Sequence, residues 1–242
     1  MKKLGVFTVL IISAFCFLLW LSPLKAHASA VTMDFVGVGG ANSGGVYTYP
    51  YNFTINGGPQ VPLMCVSYLQ EIWIPETWQA TITAIGTPIN NSIVPTASLT
   101  ATQEEEDAYL DSVVLNPSSS ALISTDTPAQ IIADAQWAAW EVGDPSLSGS
   151  LPGGLDDSGI ATEYDAAESF VSSHTVTNDP GFYAGYELYV PEDGTQSEGG
   201  LPQTFIGPAP TDPTPEPSSL ILLGSGLLTA AGALYRRKRR TA

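Results

Sequence analysis

Apolar and polar residues alternate along several short stretches of the chain. Every second side chain is apolar in residues 45–55, "GVYTYPYNFTI", in 77–85, "TWQATITAI", and in 182–190, "FYAGYELYV". Residues 60–69, "QVPLMCVSYL", and 203–207, "QTFIG", are short apolar runs, and glycine and proline separate these stretches. Because the side chains of a strand point to alternate faces of a sheet, the pattern predicts β-strands.

Three stretches in the middle of the chain have helical spacing and helix-start signals. Residues 102–117 begin with Thr102 as the expected N-cap, residues 127–145 begin with Thr127, and a third helix is expected from Thr162. The order of strands, helices and strands predicts an α+β, mainly β fold, which is an antiparallel sandwich or barrel with a helical insertion.

An apolar segment near the start of the chain resembles a signal for export. Two lysines and a long apolar run precede the small residues Ala28 and Ala30, which is the layout of a secretory signal peptide over residues 1–30. Cleavage is expected after Ala30, and an uncleaved membrane anchor is the alternative. The exported domain is then expected to span residues 31–207.

A second apolar segment lies near the end of the chain. A Pro-rich linker, residues 208–217, precedes apolar residues 218–235, a stretch slightly short of the ~20 residues that span a bilayer comfortably. Residues 236–242 form a basic tail that is expected to stay in the cytoplasm. The sequence thus predicts a C-terminal transmembrane helix with the domain on the outside, and an ordinary single-pass anchor is one reading of it.

The second reading of this tail is a resemblance to the PEP-CTERM sorting signal. That signal combines a Pro-Glu-Pro motif, a short glycine-containing helix and terminal cations, which here are Pro215, Glu216, Pro217, Gly224, Gly226, Gly232, Arg236, Arg237, Lys238, Arg239 and Arg240. The resemblance implies that an exosortase processes the chain near the Pro-Glu-Pro. It also implies a Gram-negative envelope protein of the kind encoded near exopolysaccharide synthesis.

The charge distribution excludes one class of partner. All 24 Asp and Glu residues lie within residues 26–235, and none of the 8 Lys and Arg residues does. So acidic a domain repels nucleic acid, whose phosphates require cations. Calcium loops at residues 155–159 and 191–200 are less expected than solvated turns, because neither has the ligand spacing of a dedicated loop. Cys65 and His174 are too few for a zinc site, so no metal and no cofactor are expected.

A buried amide and a lone thiol are the candidate chemistry. Ile132, Gln136 and Trp140 are four residues apart and share one helix face, which places the Gln136 amide on the apolar stripe. Burying an amide without a partner costs about 1–3 kcal/mol, and a backbone group is the simplest partner. The sharper hypothesis pairs Gln136 with Cys65, the lone cysteine of the exported part, in an internal thioester that aromatic side chains such as Trp73 shield from water.

The stretches "MCV", residues 64–66, and "AQWAAW", residues 135–140, resemble the paired signature of bacterial thioester-domain surface adhesins. In that family a cysteine bonds to the glutamine of a hydrophobic-Gln-x-x-hydrophobic-aromatic motif. The resemblance implies that Cys65 is the sulfur partner and Gln136 the acyl partner. The framing residues of the motif are then Ala135, Ala139 and Trp140.

Together these features predict an exported, exosortase-sorted protein of the cell surface or extracellular matrix. It would be an adhesin that captures amines through a Cys65–Gln136 thioester, and the alternative is a structural protein of the biofilm matrix without that bond. An enzyme is not expected. With 24 acids in the chain, a pair of carboxylates like that of a glycosidase is expected by chance. The sequence around Cys65 and His174 does not support a catalytic nucleophile pair either. The expected partners are exosortase, the membrane, and an amine-bearing ligand or exopolysaccharide.

Overall fold

The structure is a computed structural model. It describes residues 29–40, 42–43, 46–68, 72, 74–89, 98–149, 157–192 and 202–209. Most of the expected signal peptide, including Ala28, lies outside these ranges, as do the linker, the apolar segment 218–235 and all residues of the expected sorting signal. Within these ranges no helix is long and apolar enough to cross a membrane.

Six strands close into an antiparallel barrel in the order β1-β4-β5-β8-β7-β6, and the other two form a separate pair. The strands are β1 (Ser29–Val38), β2 (Asn42–Ser43), β3 (Val46–Tyr47), β4 (Tyr51–Ile55), β5 (Gln60–Cys65), β6 (Glu76–Ala84), β7 (Tyr186–Pro191) and β8 (Phe205–Pro208). Of the two expected β architectures the chain therefore adopts the barrel, whose closure removes exposed edges. Strand β1 begins at Ser29, so the expected cleavage after Ala30 falls inside it.

Aromatic side chains fill the barrel around Phe53. The Phe53 ring is fully buried, and its centroid lies 5.1 Å from that of Phe35, 5.5 Å from Trp78 and 4.6 Å from Phe205. These residues come from four strands, β1, β4, β6 and β8, so the rings meet across the interior of the barrel. Tilted and edge-on ring contacts of this kind add to the free energy of burying the rings.

The helices lie between β6 and β7 in the chain, which confirms the expected helical insertion. They are α1 (Ala101–Leu115), α2 (Pro128–Gly143), α3 (Asp157–Val171) and the single turn α4 (Pro180–Tyr183), with short 3₁₀ turns at Pro117–Ser119, Ala121–Ser124 and Pro145–Leu147. Helices α1, α2 and α3 pack against one another, α1 also contacts β8, and α2 contacts β5. The insertion is thus a helical layer set against the β5–β8 side of the barrel.

The start of α1 differs from the expectation. Thr100 and not Thr102 is the N-cap, and it forms a capping box with Gln103: the Gln103 N–H donates to Thr100 Oγ1 at 3.3 Å, and the Thr100 N–H donates to Gln103 Oε1 at 2.9 Å. The expectation chose the threonine with a glutamate three residues on, whereas a glutamine at that position also closes the box. The expected start of α2 at Thr127 and Pro128 is confirmed.

Two more expectations about element boundaries were wrong. Helix α3 begins at Asp157, ahead of the expected Thr162. Residues 182–185 belong to α4 and a turn, so β7 starts only at Tyr186. Pro180 explains this second error, because its fixed φ favours the first turn of a helix over a strand.

Helix α1 buries five consecutive or near-consecutive acids, namely Glu104, Glu105, Glu106, Asp107 and Asp111. Two of them accept backbone hydrogen bonds: Gly86 N donates to Glu104 Oε2 at 2.8 Å, and Val176 N donates to Glu105 Oε1 at 2.7 Å. These bonds fasten α1 to the turn after β6 and to the turn after α3. The Asp107 and Asp111 oxygens have no hydrogen-bond partner within the part of the chain that the structure describes.

Burial raises the pKa of these carboxyls. The pKa of Glu104 rises from 4.5 to about 7, because desolvation outweighs the hydrogen bonds from Gly86, Thr87 and Ile89. Desolvation also raises the pKa of Asp107 and Asp111 well above the ordinary value, and the neighbouring acids raise that of Asp107 further. Asp107 and Asp111 are therefore protonated and neutral inside the folded domain at neutral pH, and Glu104 is about half protonated.

The barrel core gives the first prediction. Phe53→Ala should lower the free energy of unfolding by about 3–5 kcal/mol, because it leaves a cavity where three rings now pack. Urea unfolding followed by tryptophan fluorescence measures this loss. Val36→Ala is the control on an exposed side chain of β1 and should change stability by about 0.5 kcal/mol or less. Equal losses in the two variants would contradict a core centred on Phe53.

The buried acids give a prediction about pH. The pKa of Glu104 is 4.5 in the unfolded chain and about 7 in the folded one. At a pH between these two values the carboxyl is protonated in the folded domain, whereas the unfolded chain has released the proton. The folded state then binds more protons, so stability should fall as pH rises through this interval. The urea midpoint should accordingly be higher at about pH 5 than at about pH 8.

Glu104→Gln is the matched variant for this measurement. Its amide oxygen can still accept the Gly86 N–H, but the side chain no longer titrates. The variant should therefore lose less stability between the two pH values than the wild type does. A wild-type urea midpoint that is equal or higher at the more alkaline pH would contradict the raised pKa of these buried carboxyls.

Candidate functional site

The site begins with Cys65, the last residue of β5. Its side chain is fully buried, and Cys65 pairs with Phe205 of β8 in the antiparallel ladder. The thiol donates to the Ser67 carbonyl oxygen at 3.4 Å, and Ser67 Oγ accepts from Thr204 N at 2.8 Å. The sulfur is therefore held in a rigid turn between β5 and the residues that lead into β8.

Gln136 of α2 meets this turn directly. Its Nε2 donates to the Cys65 carbonyl oxygen at 2.6 Å, and both residues are 0 % exposed. The fold thus brings together the two residues that the sequence paired across 71 positions. The carboxamide oxygen, Gln136 Oε1, has no hydrogen-bond partner among the residues that the structure describes.

The close approach of α2 to β5 depends on small residues. Ala135 and Ala139, the expected framing residues of the glutamine motif, are fully buried, as is Ala138. At the end of α2, a β-carbon on Gly143 would lie 3.1 Å from the Val66 carbonyl oxygen, a tight contact that glycine avoids. A side chain at position 143 would therefore strain the contact between α2 and Val66, the residue that follows β5.

Three aromatic rings pack against one another beside the pair. The Tyr68 centroid lies 5.3 Å from that of Trp137 and 5.1 Å from that of Trp140, and the two indoles meet edge-on at 4.8 Å. Trp137 and Trp140 are each 1 % exposed, so bulk water does not reach this side of the site. Trp73, which we also expected in this shield, lies outside the described residues.

The thiol is held in its neutral form. Burial raises the pKa of Cys65 to about 12, and Asp107 of α1 adds to the rise, while Trp140 and Ser67 oppose it. The Trp140 indole N–H nevertheless makes no hydrogen bond to an acceptor within the described part of the chain. A cysteine in this state reacts only if its proton is removed during the reaction, because the thiolate is the nucleophile.

The other candidate residues lie elsewhere or outside the described part. His174 stacks on Phe170 at 4.3 Å, and its Nδ1 is 3.1 Å from the Phe170 carbonyl oxygen, so its described contacts do not include Cys65. Of the two acidic loops considered for calcium, residues 157–159 of the first lie in the first turn of α3, and residues 193–200 of the second fall outside the described ranges. Within these ranges no group of three or more potential metal ligands clusters.

Two residues of this site were not predicted from the sequence. Ser67 is buried and receives the thiol hydrogen bond through its carbonyl oxygen, but its position two residues after Cys65 gave no signal. Asp107 was not singled out within the predicted helix of residues 102–117. Its spacing carried the missing signal, because Glu104, Asp107 and Asp111 recur every three to four residues and so share one helix face.

The fold can be compared with solved structures. Two Streptococcus pyogenes proteins resemble it: the N-terminal thioester domain of the fibronectin-binding protein SfbI, and the N-terminal domain of the pilus tip adhesin Cpa. The first is 11% identical with a TM-score of 0.37, over 78% of this chain and 98% of that chain. The second is 11% identical with a TM-score of 0.40, over 78% of this chain and 96% of that chain. Likeness at this level leaves the chemistry of the site to be argued from the site itself.

Comparison of the sequences gives a firmer result at the end of the chain. No curated protein matches the sequence of the whole chain. Residues 213–240, however, match the PEP-CTERM protein-sorting motif, which confirms the resemblance seen in the Pro-Glu-Pro, the glycines and the terminal cations. The chain is therefore an exported protein that carries a PEP-CTERM motif, by which exosortase processes it and sorts it to the cell envelope.

Proposed function

We propose that the exported domain is an adhesion module that captures amines covalently through a thioester between Cys65 Sγ and Gln136 Cδ. One observation carries the proposal: the Gln136 amide is held 2.6 Å from the Cys65 backbone with both side chains fully buried. Holding two reacting groups in place in this way replaces a bimolecular encounter with a local step. The sorted, exported location of the chain is where a surface adhesin acts.

The chemistry proceeds in two stages. In the first, Cys65 Sγ attacks Gln136 Cδ, the Cδ–Nε2 bond breaks and ammonia leaves. In the second, an amine of a partner attacks the thioester carbonyl, an amide bond forms and the Cys65 thiol is released. The aromatic shield of Tyr68, Trp137 and Trp140 protects the thioester from hydrolysis in the interval.

The composition of the domain suits an amine-directed electrophile. Residues 26–235 contain neither lysine nor arginine, so the domain has no side-chain amine of its own to consume the thioester. The acidic surface also draws cationic partners toward the domain and raises their encounter rate. The partner is then an amine-bearing surface ligand, a class that includes amino-substituted exopolysaccharide and lysine-rich protein.

The second candidate is a structural protein of the envelope or biofilm matrix in which the pair never reacts. The same hydrogen bond favours it, because the Cys65 carbonyl already satisfies part of the Gln136 amide, and the Ser67 carbonyl satisfies the thiol. In this account Cys65 and Gln136 only pack the helical layer onto the barrel. Cys65→Ala would then behave like the wild type in every binding assay.

Intact mass spectrometry distinguishes the two functions. The purified domain, residues 29–210 without added lysines, should be lighter than its sequence by one ammonia. Methylamine treatment should open the thioester and leave a product heavier than that form by one methylamine, with a thiol that iodoacetamide now alkylates. A wild-type mass equal to the sequence mass, unchanged by methylamine, would refute the capture function.

Two variants are the matched controls for this measurement. Cys65→Ser removes the thiol at nearly constant volume, and Gln136→Glu keeps the shape of the acyl partner but has no ammonia to lose. Both should show the full sequence mass and ignore methylamine. Ammonia loss that persisted in either variant would place the modification elsewhere in the chain.

A further inference from the structure

The Asp107 carboxyl lies at the same site without a structural role. It is fully buried on α1, and neither of its oxygens has a hydrogen-bond partner within the described part of the chain. A buried polar group without a partner destabilises a fold by about 1–3 kcal/mol, and more if it is charged. Two acids of the same helix, Glu104 and Glu105, do hold neighbouring turns through backbone N–H groups. Asp107 contributes no such bond.

The packing of α1 on α2 brings Asp107 level with the turn of α2 that contains Gln136. Near the start of α1, Gln103 Nε2 donates to the carbonyl oxygen of Val142, near the end of α2, at 2.5 Å. The two helices therefore run antiparallel at this contact. One turn inward along each, Asp107 comes level with Ala138, in the turn of α2 that also contains Gln136.

Asp107 also acts electrostatically on the thiol. Helix α1 contacts β8, and β8 residue Phe205 pairs with Cys65. The Asp107 carboxylate and the Cys65 thiolate repel each other across this interior, which is one reason that the pKa of Cys65 is raised. The other titratable groups that act on Asp107 are Glu104, Glu106 and Asp111. The buried carboxyl is thus an electrostatic neighbour of the nucleophile, and it lies level with the turn of α2 that carries the acyl partner of the proposed thioester.

The hydrogen-bonding capacity of these groups fits a protonated Asp107. Gln136 Oε1 is a buried acceptor without a donor. An ionised carboxylate is an acceptor only and cannot pair with it, whereas a protonated carboxyl has one O–H to donate and one oxygen left to accept. The burial that keeps the pKa of Asp107 well above its usual value maintains this form at neutral pH.

We propose that Asp107 is the proton-transfer residue that enables Cys65 and Gln136 to form the thioester. This inference rests on the proposed function, and it goes further because it assigns the group that moves the protons. The Cys65 thiol keeps its proton at neutral pH and Nε2 is a poor leaving group without one, so both ends of the reaction need such a group.

The step balances without any outside reagent. The Cys65 Sγ–Cδ bond forms as one carboxyl oxygen of Asp107 accepts the thiol proton. The other carboxyl oxygen gives its proton to Gln136 Nε2, the Cδ–Nε2 bond breaks, and ammonia leaves. The carboxyl ends the step with one proton, as it began, and the two unpartnered oxygens are the two that the step requires.

Asp111 provides an internal comparison. It lies one turn further along the same face of α1, is fully buried, and likewise has no hydrogen-bond partner for either oxygen among the described residues. Its charge acts on Tyr49, Tyr186 and Tyr189, whereas only Asp107 of the two acts on Cys65. The two aspartates therefore share burial and helix face but differ in whether they face the reacting pair.

The experiment follows thioester formation in the full chain, purified in detergent. Concentrated ammonia converts the thioester back to the Cys65 thiol and the Gln136 amide, ammonia is removed by gel filtration, and intact mass spectrometry follows the renewed loss of ammonia. Asp107→Asn should slow this loss by about 100-fold or more, which is the usual contribution of a proton-transfer group. Asp111→Asn should react at the wild-type rate.

Two further measurements separate proton transfer from structural support. Asp107→Glu restores a carboxyl and should recover part of the rate, even if Asp107→Asn folds poorly. The wild-type rate should fall as pH rises and Asp107 loses its proton, and the rate in Asp107→Asn should lack this fall. Near-ultraviolet circular dichroism establishes that each variant has native packing.

The outcomes are distinct. A wild-type rate in Asp107→Asn, or equal slowing in Asp111→Asn, overturns the role of Asp107 and leaves the thioester intact. A wild-type chain that never loses ammonia and ignores methylamine overturns the proposed function and this inference together. Slow formation in Asp107→Asn alone, with recovery in Asp107→Glu, supports both.

Discussion

The absence of cationic side chains from residues 26–235 is the constraint on which the rest of the structure depends. All 24 carboxylates of the chain lie in that interval, and none can pair there with a lysine or an arginine. A buried carboxyl must then accept backbone hydrogen bonds or keep its proton. Helix α1 does both: Glu104 and Glu105 cap backbone N–H groups of neighbouring turns, while burial holds Asp107 and Asp111 neutral. Glu104 thus attaches the helical layer to the turn after β6, and Asp107 of the same helix acts electrostatically on Cys65.

Much of this arrangement could be predicted from local sequence signals. The alternating stretches around Phe53 and Trp78, the insertion of helices between strands, and the start of α2 at Thr127 follow from periodicity and capping chemistry, which act over a few residues. The pairing of Cys65 with Gln136 came from the chemistry of a buried amide and a lone thiol, and then from a resemblance of two short motifs. The contact itself depends on α2 lying against β5, which no local pattern encodes.

Other features were beyond reach for identifiable reasons. Strand β1 was missed because it begins at Ser29, inside the expected signal peptide, so its first residues read as a cleavage site. Its ladder partners, Ile82 and Thr81 of β6, lie some fifty residues further along the chain, and only closure of the barrel brings them together. The role of α1 was missed because acids in the first turns of a helix usually face solvent and favour the helix dipole. Only the packing against β8 and α2 shows that these acids are buried.

The energetics of the Gln136 amide argue that it is retained for more than stability. Its hydrogen bond to the Cys65 carbonyl contributes about 1 kcal/mol net, whereas its buried, unpartnered oxygen costs about 1–3 kcal/mol. An apolar residue of similar volume would therefore stabilise the site at least as well. The same reasoning applies to the Asp107 carboxyl, which makes no hydrogen bond within the described structure. Thioester formation would remove the amide N–H groups together with their hydrogen bond to the Cys65 carbonyl, so the proposed chemistry gives the amide a role that stability does not.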